Sequence, residues 1–229
     1  RPRACTAPRA SSAGPRLLLF THPLPPAVHA MSSAILRALY LCAGGTSWKD
    51  KTGWLGDAPP CGVPSAPSST WKNTYSYDQR PHGSVKGAWF GVVCDEEGSI
   101  VSISLYGNGL SGTIPTNLGL LTKMTGQLQL GGNVLSGTIP TEFGKLTAMT
   151  HDLALFANSL SGTIPPALGK LTAMTGALAL ATNALSGTIP TALAKLTKLA
   201  VLTLTNNSLV YPITSDGEAT FAQATRTTS

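Results

Sequence analysis

Leucine and isoleucine recur along residues 100–210 at positions that repeat from one segment to the next. In a typical segment Leu128 and Leu130 flank a single residue, and the hexapeptide LSGTIP begins five residues later. The alternation L-x-L predicts a short β-strand with one face turned inward. One segment cannot enclose a core, so the pattern predicts stacked coils that share one. The hexapeptide begins at Leu110, Leu135, Leu160 and Leu185, at intervals of 25 residues.

Polar residues also keep fixed places in every segment. An asparagine follows each strand, where the chain turns and leaves backbone N–H and C=O groups without sheet partners. An amide side chain can satisfy both kinds of group, so we expect an internal structural ladder rather than a binding role. The glycine and proline of LSGTIP are explained by a tight turn and by the end of an extended segment. The ladder asparagines are Asn108, Asn133, Asn158, Asn183 and Asn207.

Composition narrows the class of protein. Hydrophobic residues make up 42% of the 229 and charged residues only 11%, so the chain can form a core and has a largely uncharged polar surface. The net charge is +6, but four arginines of the first 16 residues leave only +2 for the rest. Such an evenly mixed charge gives no argument for nucleic-acid binding. The sequence contains no run of 18 or more apolar residues, so it does not predict a membrane-spanning helix.

The pattern L-x-x-N-x-L-S-G-x-I-P-x-x-L-G-x-L-T resembles the plant-type leucine-rich repeats of receptor-kinase ectodomains, polygalacturonase-inhibiting proteins and related algal and protist proteins. The resemblance covers residues 100–210. It implies an α/β repeat solenoid, a right-handed leucine-rich-repeat superhelix with a parallel concave β-sheet and a second short sheet beside it. It also implies an α-helical N-terminal cap, because AILRALYLCAGGTSW and WFGVVC resemble the cap motifs of this family.

The repeats depart from the familiar 24-residue unit in one way. Three intervals have 25 residues, and only that from Leu185 to Leu209 has 24. The additional residue lies just before the strand, where we expect a bulge or a widened turn. His151 and Asp152 adjoin there, and we expect an exposed turn rather than a catalytic pair.

Four regions follow from these patterns. Residues 1–30 are a disordered leader, a secretory signal, or translated upstream sequence of a chain that starts at Met31. Residues 31–99 form the cap, with an insertion at 62–88, and residues 100–210 form about five coils. Residues 211–229 are a polar tail.

The cysteines and one asparagine bear on location. The resemblance implies a disulfide between Cys61 and Cys94, with Cys42 to Cys94 as the alternative. A disulfide would place the protein in an oxidising compartment. Asn206 begins an N-glycosylation sequon, which matters only for a secreted chain.

No catalytic motif and no metal- or cofactor-binding motif occurs, so we expect a non-enzyme without cofactors. The expected function is binding of a protein, peptide or glycan on the concave face by a monomer, as an extracellular or cell-surface recognition or adhesion module. An intracellular (cytoplasmic) scaffold for protein–protein interaction is the alternative. Ser102, Gln127 and Asp152 are expected to point outward in one column. The candidate ligand-binding residues are Tyr106, Gln127, Gln129, Asp152 and Phe156.

Two other columns suggest other partners. A row of lysines in successive coils could hold an acidic polysaccharide, although a solvated face explains it more simply. Threonine columns in LSGTIP and before the strands suggest an ice-binding protein as a further alternative, since leucine-rich ice-binding proteins exist. The lysine row consists of Lys145, Lys170 and Lys195.

Overall fold

The structure, a computed structural model, describes residues 26–54, 60, 89–95 and 97–210, with side chains described from residue 31. Within these ranges the repeats form a leucine-rich-repeat solenoid with two parallel sheets joined by short 3-10 helices. The insertion at 62–88, the tail at 211–229 and residues 1–25 lie outside the described residues.

Helix α1, Pro26–Cys42, packs against the first coil. It begins upstream of Met31, the position proposed as a possible chain start. Ile35, Leu36 and Leu39 are buried in the common core, as their helical spacing predicts. The N–H of Ser111 donates to the carbonyl of Ala43 at 2.9 Å, which joins the segment after the helix to the first coil. The apolar side chains of the helix thus belong to the same core as those of the first coil.

The first sheet contains one strand from each coil. Strand β1 pairs antiparallel with β2, and the remaining strands add in parallel. Equivalent residues lie opposite each other, for example Ile103 and Leu128, or Leu128 and Leu153. The strands, in spatial order, are β1 (Val92–Cys94), β2 (Ile100–Ser104), β4 (Leu128–Gln129), β6 (Leu153–Ala154), β8 (Ala177–Ala179) and β10 (Val201–Thr203).

The second sheet contains the LSGTIP segments and is also parallel. Its register differs from that of the first sheet, because Ser111 lies opposite Val134 and Ser161 opposite Ala184, two residues short of the repeat interval. Its strands, in chain order, are β3 (Ser111–Thr113), β5 (Val134–Gly137), β7 (Ser159–Gly162), β9 (Ala184–Thr188) and β11 (Ser208–Val210).

Short 3-10 helices return the chain to the first sheet. Each begins after the proline of LSGTIP, which stands at the N-cap with extended backbone angles, as for Pro140 at φ −62° and ψ 131°. A proline suits this place because its missing N–H and fixed φ cost nothing at the start of a helix. These helices are Thr116–Leu120, Thr141–Lys145, Pro166–Lys170 and Thr191–Lys195. A further 3-10 helix, Gly45–Ser47, lies in the N-terminal segment and follows Gly44.

The core runs through all coils. Leu128, Leu130 and Leu135 of one coil have no exposed side-chain surface, and their equivalents in the next two coils are buried to the same extent. Each such side chain contributes about 1.5–3 kcal/mol on burial, so apolar stacking is the main stabilising term. In the N-terminal segment the buried rings of Trp48 and Trp54 meet edge to face with centroids 4.8 Å apart.

The asparagines form a hydrogen-bonded column between the two sheets. The Oδ1 of Asn133 accepts from the N–H of Leu110 in the preceding coil at 3.0 Å. Its Nδ2 donates to the carbonyls of Leu105, Leu130 and Gly131, each at 2.9 Å. Asn158, Asn183 and Asn207 repeat these bonds one coil at a time. Asn108 instead exchanges two bonds of 2.8 Å with the backbone of Asp50, and so connects the first coil to the N-terminal segment.

The additional residue of the longer units lies between the 3-10 helix and the strand, where hydrogen bonds join successive coils. The N–H of Thr150 donates to the carbonyl of Thr125 at 2.9 Å, and its hydroxyl donates to the same oxygen at 2.7 Å. Thr175 makes the same two bonds to Thr150. In the shorter last unit Ala200 takes this place and donates to both Thr175 and Gly176. The extra residue therefore lets a threonine supply a second bond between coils.

Candidate functional site

The outward positions of the first sheet hold mostly small side chains, and two aromatic rings stand out among them. Tyr106 and Phe156 follow the strands of the first and third coils, in the same column of the repeat. Tyr106 is 53% exposed and Phe156 is half-buried. Their ring centroids lie 5.7 Å apart, with the ring planes inclined by 33°. We call these two residues the aromatic pair.

The aromatic pair meets across the intervening coil because that coil has two glycines in this place. A Cβ on Gly131 would lie 2.8 Å from a ring carbon of Phe156. A Cβ on Gly132 would lie 2.7 Å from a ring carbon of Tyr106, and Gly132 also has a φ of 64°. Any larger residue would separate the rings. The sequence signal for this arrangement is the dipeptide GG at the place where the neighbouring coils have YG and FA.

Two amide side chains stand beside the second strand of this face. The Nε2 of Gln129 donates to the Oε1 of Gln127 at 2.8 Å, and both residues are half-buried. This bond uses one donor and one acceptor, so each amide keeps further hydrogen-bonding capacity. The two glutamines thus form a fixed, uncharged polar group on this face.

Asp152 and Ser102 both make hydrogen bonds to the backbone of the next coil. The Oδ1 of Asp152 accepts from the N–H of Ala177 at 2.7 Å, which gives the carboxylate a structural role at the start of β8. Ser102 was expected to point outward, but it is buried and its hydroxyl donates to the carbonyl of Gln127 at 3.0 Å. Both side chains satisfy backbone groups where one coil meets the next. His151, next to Asp152, is exposed, and its Nδ1 lies 2.8 Å from the hydroxyl of Thr150.

The lysine row lies on the 3-10 helices rather than on the first sheet. Each of its members ends a 3-10 helix and is exposed. The first coil has Leu120 at this place, 46% exposed, so the row begins only with the second coil. The three lysine side chains are exposed to solvent, as on an ordinary hydrated surface.

The structure also describes two of the cysteines and the asparagine of the sequon. Cys42 and Cys94 are both disulfide-bonded. Cys61, the partner that the resemblance implies for Cys94, lies outside the described residues. Asn206 is exposed on the bend between β10 and β11.

No group of three His, Cys, Asp or Glu in the described ranges could hold a metal ion. Over the same ranges, no helix has the length and apolar character to cross a bilayer.

Comparisons with known proteins identify the family. The chain is similar to the BIR3–SERK2 complex from Arabidopsis thaliana, with 32% identity, a TM-score of 0.50 and coverage of 75% of this chain and 81% of that one. It is also similar to PEPR1 in the structure of PEPR1–AtPEP1, with 35% identity and a TM-score of 0.52. That match covers 55% of this chain and only 17% of the other, so the chain spans about a sixth of that relative.

A third similar structure is that of a plant ice-binding protein, with 28% identity, a TM-score of 0.43 and coverage of 55% of this chain and 48% of that one. No family model matches the sequence, and no curated protein does. The repeat pattern and the parallel strands of the repeats are those of a leucine-rich-repeat protein. The match to the BIR3–SERK2 structure covers most of both chains. The chain belongs to the plant-type leucine-rich-repeat proteins.

Proposed function

We propose that this chain is a non-catalytic recognition module that binds a protein, peptide or glycan on the concave face of its solenoid. The aromatic pair carries the proposal, because exposed aromatic rings are common anchors of binding energy. Tyr106 exposes about half of its surface at a place where most neighbours are small. A solved relative, the BIR3–SERK2 structure, is a complex of two proteins, which supports a binding role.

The chemistry of the face suggests how a ligand would be held. The rings offer apolar surface, and the amides of Gln127 and Gln129 offer neutral hydrogen bonds beside them. Asp152 is the one charged candidate, and the Ala177 N–H already engages one of its carboxylate oxygens. A ligand with flat apolar groups and neutral polar groups fits this face better than a strongly charged one.

Location and the finer architecture are part of the same proposal. We assign the protein to the extracellular space or the cell surface, because disulfide-bonded Cys42 and Cys94 suit an oxidising compartment. We also propose a right-handed superhelix in which residues 31–99 cap the first coil. The alternative is an intracellular scaffold that starts at Met31. Intact-mass analysis of the natural protein with and without reduction distinguishes the two, because free thiols at Cys42 and Cys94 would contradict secretion.

The binding proposal is tested by removing the aromatic pair. Wild-type protein and a Tyr106→Ala/Phe156→Ala variant would be compared on immobilised peptide and glycan libraries. Val134→Ala is the matched control, since Val134 is 61% exposed but lies on the second sheet. We expect the double variant to lose at least about tenfold in affinity for any probe that the wild type binds, and the control to lose none. Unchanged affinity of the double variant would refute the concave site.

A second candidate function, ice binding, is favoured by the outward face of the second sheet. Its strands contain no charged residue. Thr188 of β9 is exposed, as are Thr138 and Thr163, which directly follow β5 and β7. The hydroxyl of Ser136 donates to the Gly112 carbonyl at 3.0 Å. Strands about 4.8 Å apart give such hydroxyl and methyl groups a regular spacing, which suits an ordered water lattice.

Ice binding is tested by thermal hysteresis and by inhibition of ice recrystallisation. Thr163→Lys places a charge directly after β7 of the second sheet, and Thr203→Lys places one on the first sheet as the control. If the second sheet binds ice, only the first of these variants loses activity. Wild-type protein without either activity excludes this function.

A further inference from the structure

Asn206 occupies a distinctive place at the last described coil. It begins Asn206-Asn207-Ser208, the only N-x-S/T sequence in the 229 residues. The asparagine lies on an exposed bend and has a φ of 54°, a left-handed conformation that asparagine tolerates better than most residues. The side chain therefore projects from a turn rather than from a strand or the core.

The two adjacent asparagines have different hydrogen bonds. Asn207 belongs to the ladder, and its Nδ2 donates to Leu180, Leu204 and Thr205. Asn206 donates only a long bond of 3.4 Å, from its Nδ2 to the hydroxyl of Thr182. The Asn206 amide can therefore be substituted without loss of a buried hydrogen bond.

We propose that Asn206 carries an N-linked glycan, an inference that rests on the proposed passage through a secretory compartment. The donor is an oligosaccharide linked to a polyprenyl diphosphate. The Nδ2 of Asn206 forms a bond to C1 of the first sugar, the bond from C1 to the diphosphate oxygen breaks, and the polyprenyl diphosphate leaves. The amide nitrogen loses one proton, and no group is oxidised or reduced. Ser208, exposed at the start of β11, supplies the hydroxyl that the sequon requires.

The position of the glycan gives it a second consequence. Strands β10 and β11 are the last of the two sheets within the described ranges, so each has one edge without a neighbouring strand there. Asn206 lies on the bend that joins them. Exposed strand edges can pair with other chains, and a bulky hydrophilic group beside an edge hinders that pairing. The glycan therefore lies where it can shield the edges of β10 and β11.

The test uses the full chain secreted from a eukaryotic host behind an added signal sequence. Wild type and Ser208→Thr both keep the sequon, whereas Ser208→Ala destroys it and leaves Asn206 unchanged. Peptide mapping after treatment with a glycan-releasing amidase should find an aspartate at position 206 in the first two proteins and asparagine in the third. Secreted wild-type protein with unmodified Asn206 would overturn the assignment.

Two further measurements separate the parts of the proposal. Sedimentation analysis should find that Ser208→Ala protein self-associates at concentrations where glycosylated wild type stays monomeric, and equal behaviour would overturn the shielding role. The location of the natural protein is determined separately. A cytosolic natural protein contradicts the proposed function and the natural use of the site, whereas an unoccupied site in secreted protein contradicts the site alone.

Discussion

Replacing Asn133 with alanine removes four hydrogen bonds from the centre of the asparagine column. The Leu110 N–H loses its acceptor, and the carbonyls of Leu105, Leu130 and Gly131 each lose a donor. Asn133 is only 8% exposed, so water cannot readily replace the amide. A buried unsatisfied polar group costs about 1–3 kcal/mol, and carbonyl oxygens tolerate the loss better than an N–H. We therefore expect a loss of about 3 kcal/mol in the free energy of unfolding.

Urea unfolding followed by circular dichroism, with the disulfides intact, measures this loss. With a slope of about 2 kcal/mol per molar urea, the midpoint should fall by about 1.5 M. Asn207→Ala is the matched control, because Asn207 makes the same kinds of bond in the half-exposed last coil, where water can enter. It should lose only about 1 kcal/mol. Equal losses for the two variants, or a loss below about 1 kcal/mol for Asn133→Ala, would refute the argument from burial.

Three further predictions concern stability. Thr182→Gly should stabilise the protein by about 1 kcal/mol, because Thr182 has a φ of 56°, which glycine adopts without strain. The control Ala181→Gly should destabilise it by about 0.5–1 kcal/mol, and thermal unfolding measures both changes. Gly162→Ala should cost about 2 kcal/mol in urea unfolding, since its φ is 77° and the new Cβ would lie 3.0 Å from the Thr138 methyl. Adding Thr138→Ser should recover part of that cost, and no recovery would contradict the contact. Replacing each residue of the lysine row by glutamine should change stability by less than about 0.5 kcal/mol, and a larger loss on calorimetry would show that the row is not merely solvated.

Much of the fold could be predicted because the repeat applies the same constraint in every coil. A leucine that faces inward in one coil must do so in the next, so the positions of Leu128 and Leu153 follow from sequence spacing alone. The asparagines were predictable for a similar reason, since an amide at each turn matches the backbone groups that every turn leaves unpaired. The second sheet was expected from the resemblance, and its strands are present.

The candidate site was less predictable, because its details depend on contacts between different coils. Sequence columns placed Tyr106 and Phe156 on one face, but their contact depends on the glycines between them. Asp152 was placed in an outward column, but the sequence did not show that one of its carboxylate oxygens accepts from a backbone N–H in the next coil. Ser102 shows the same effect at the first coil. A column of the repeat predicts the direction in which a side chain points. Contacts with the neighbouring coil determine whether its polar atoms stay available to bind a ligand.

The different registers of the two sheets bear on how this protein could be shortened or extended by engineering. Pairing partners differ by 25 residues in the first sheet and by 23 in the second, and at the shorter last junction by 24 and 22. At both kinds of junction, partners in the second sheet are two residues closer in sequence than partners in the first sheet. This offset between the sheets does not depend on the length of the unit. A whole unit cut at any two equivalent residues can therefore be deleted or duplicated without mismatching either sheet. Duplicating the unit that contains Phe156 would supply a second copy of this ring, so the binding face could be enlarged in whole-coil steps.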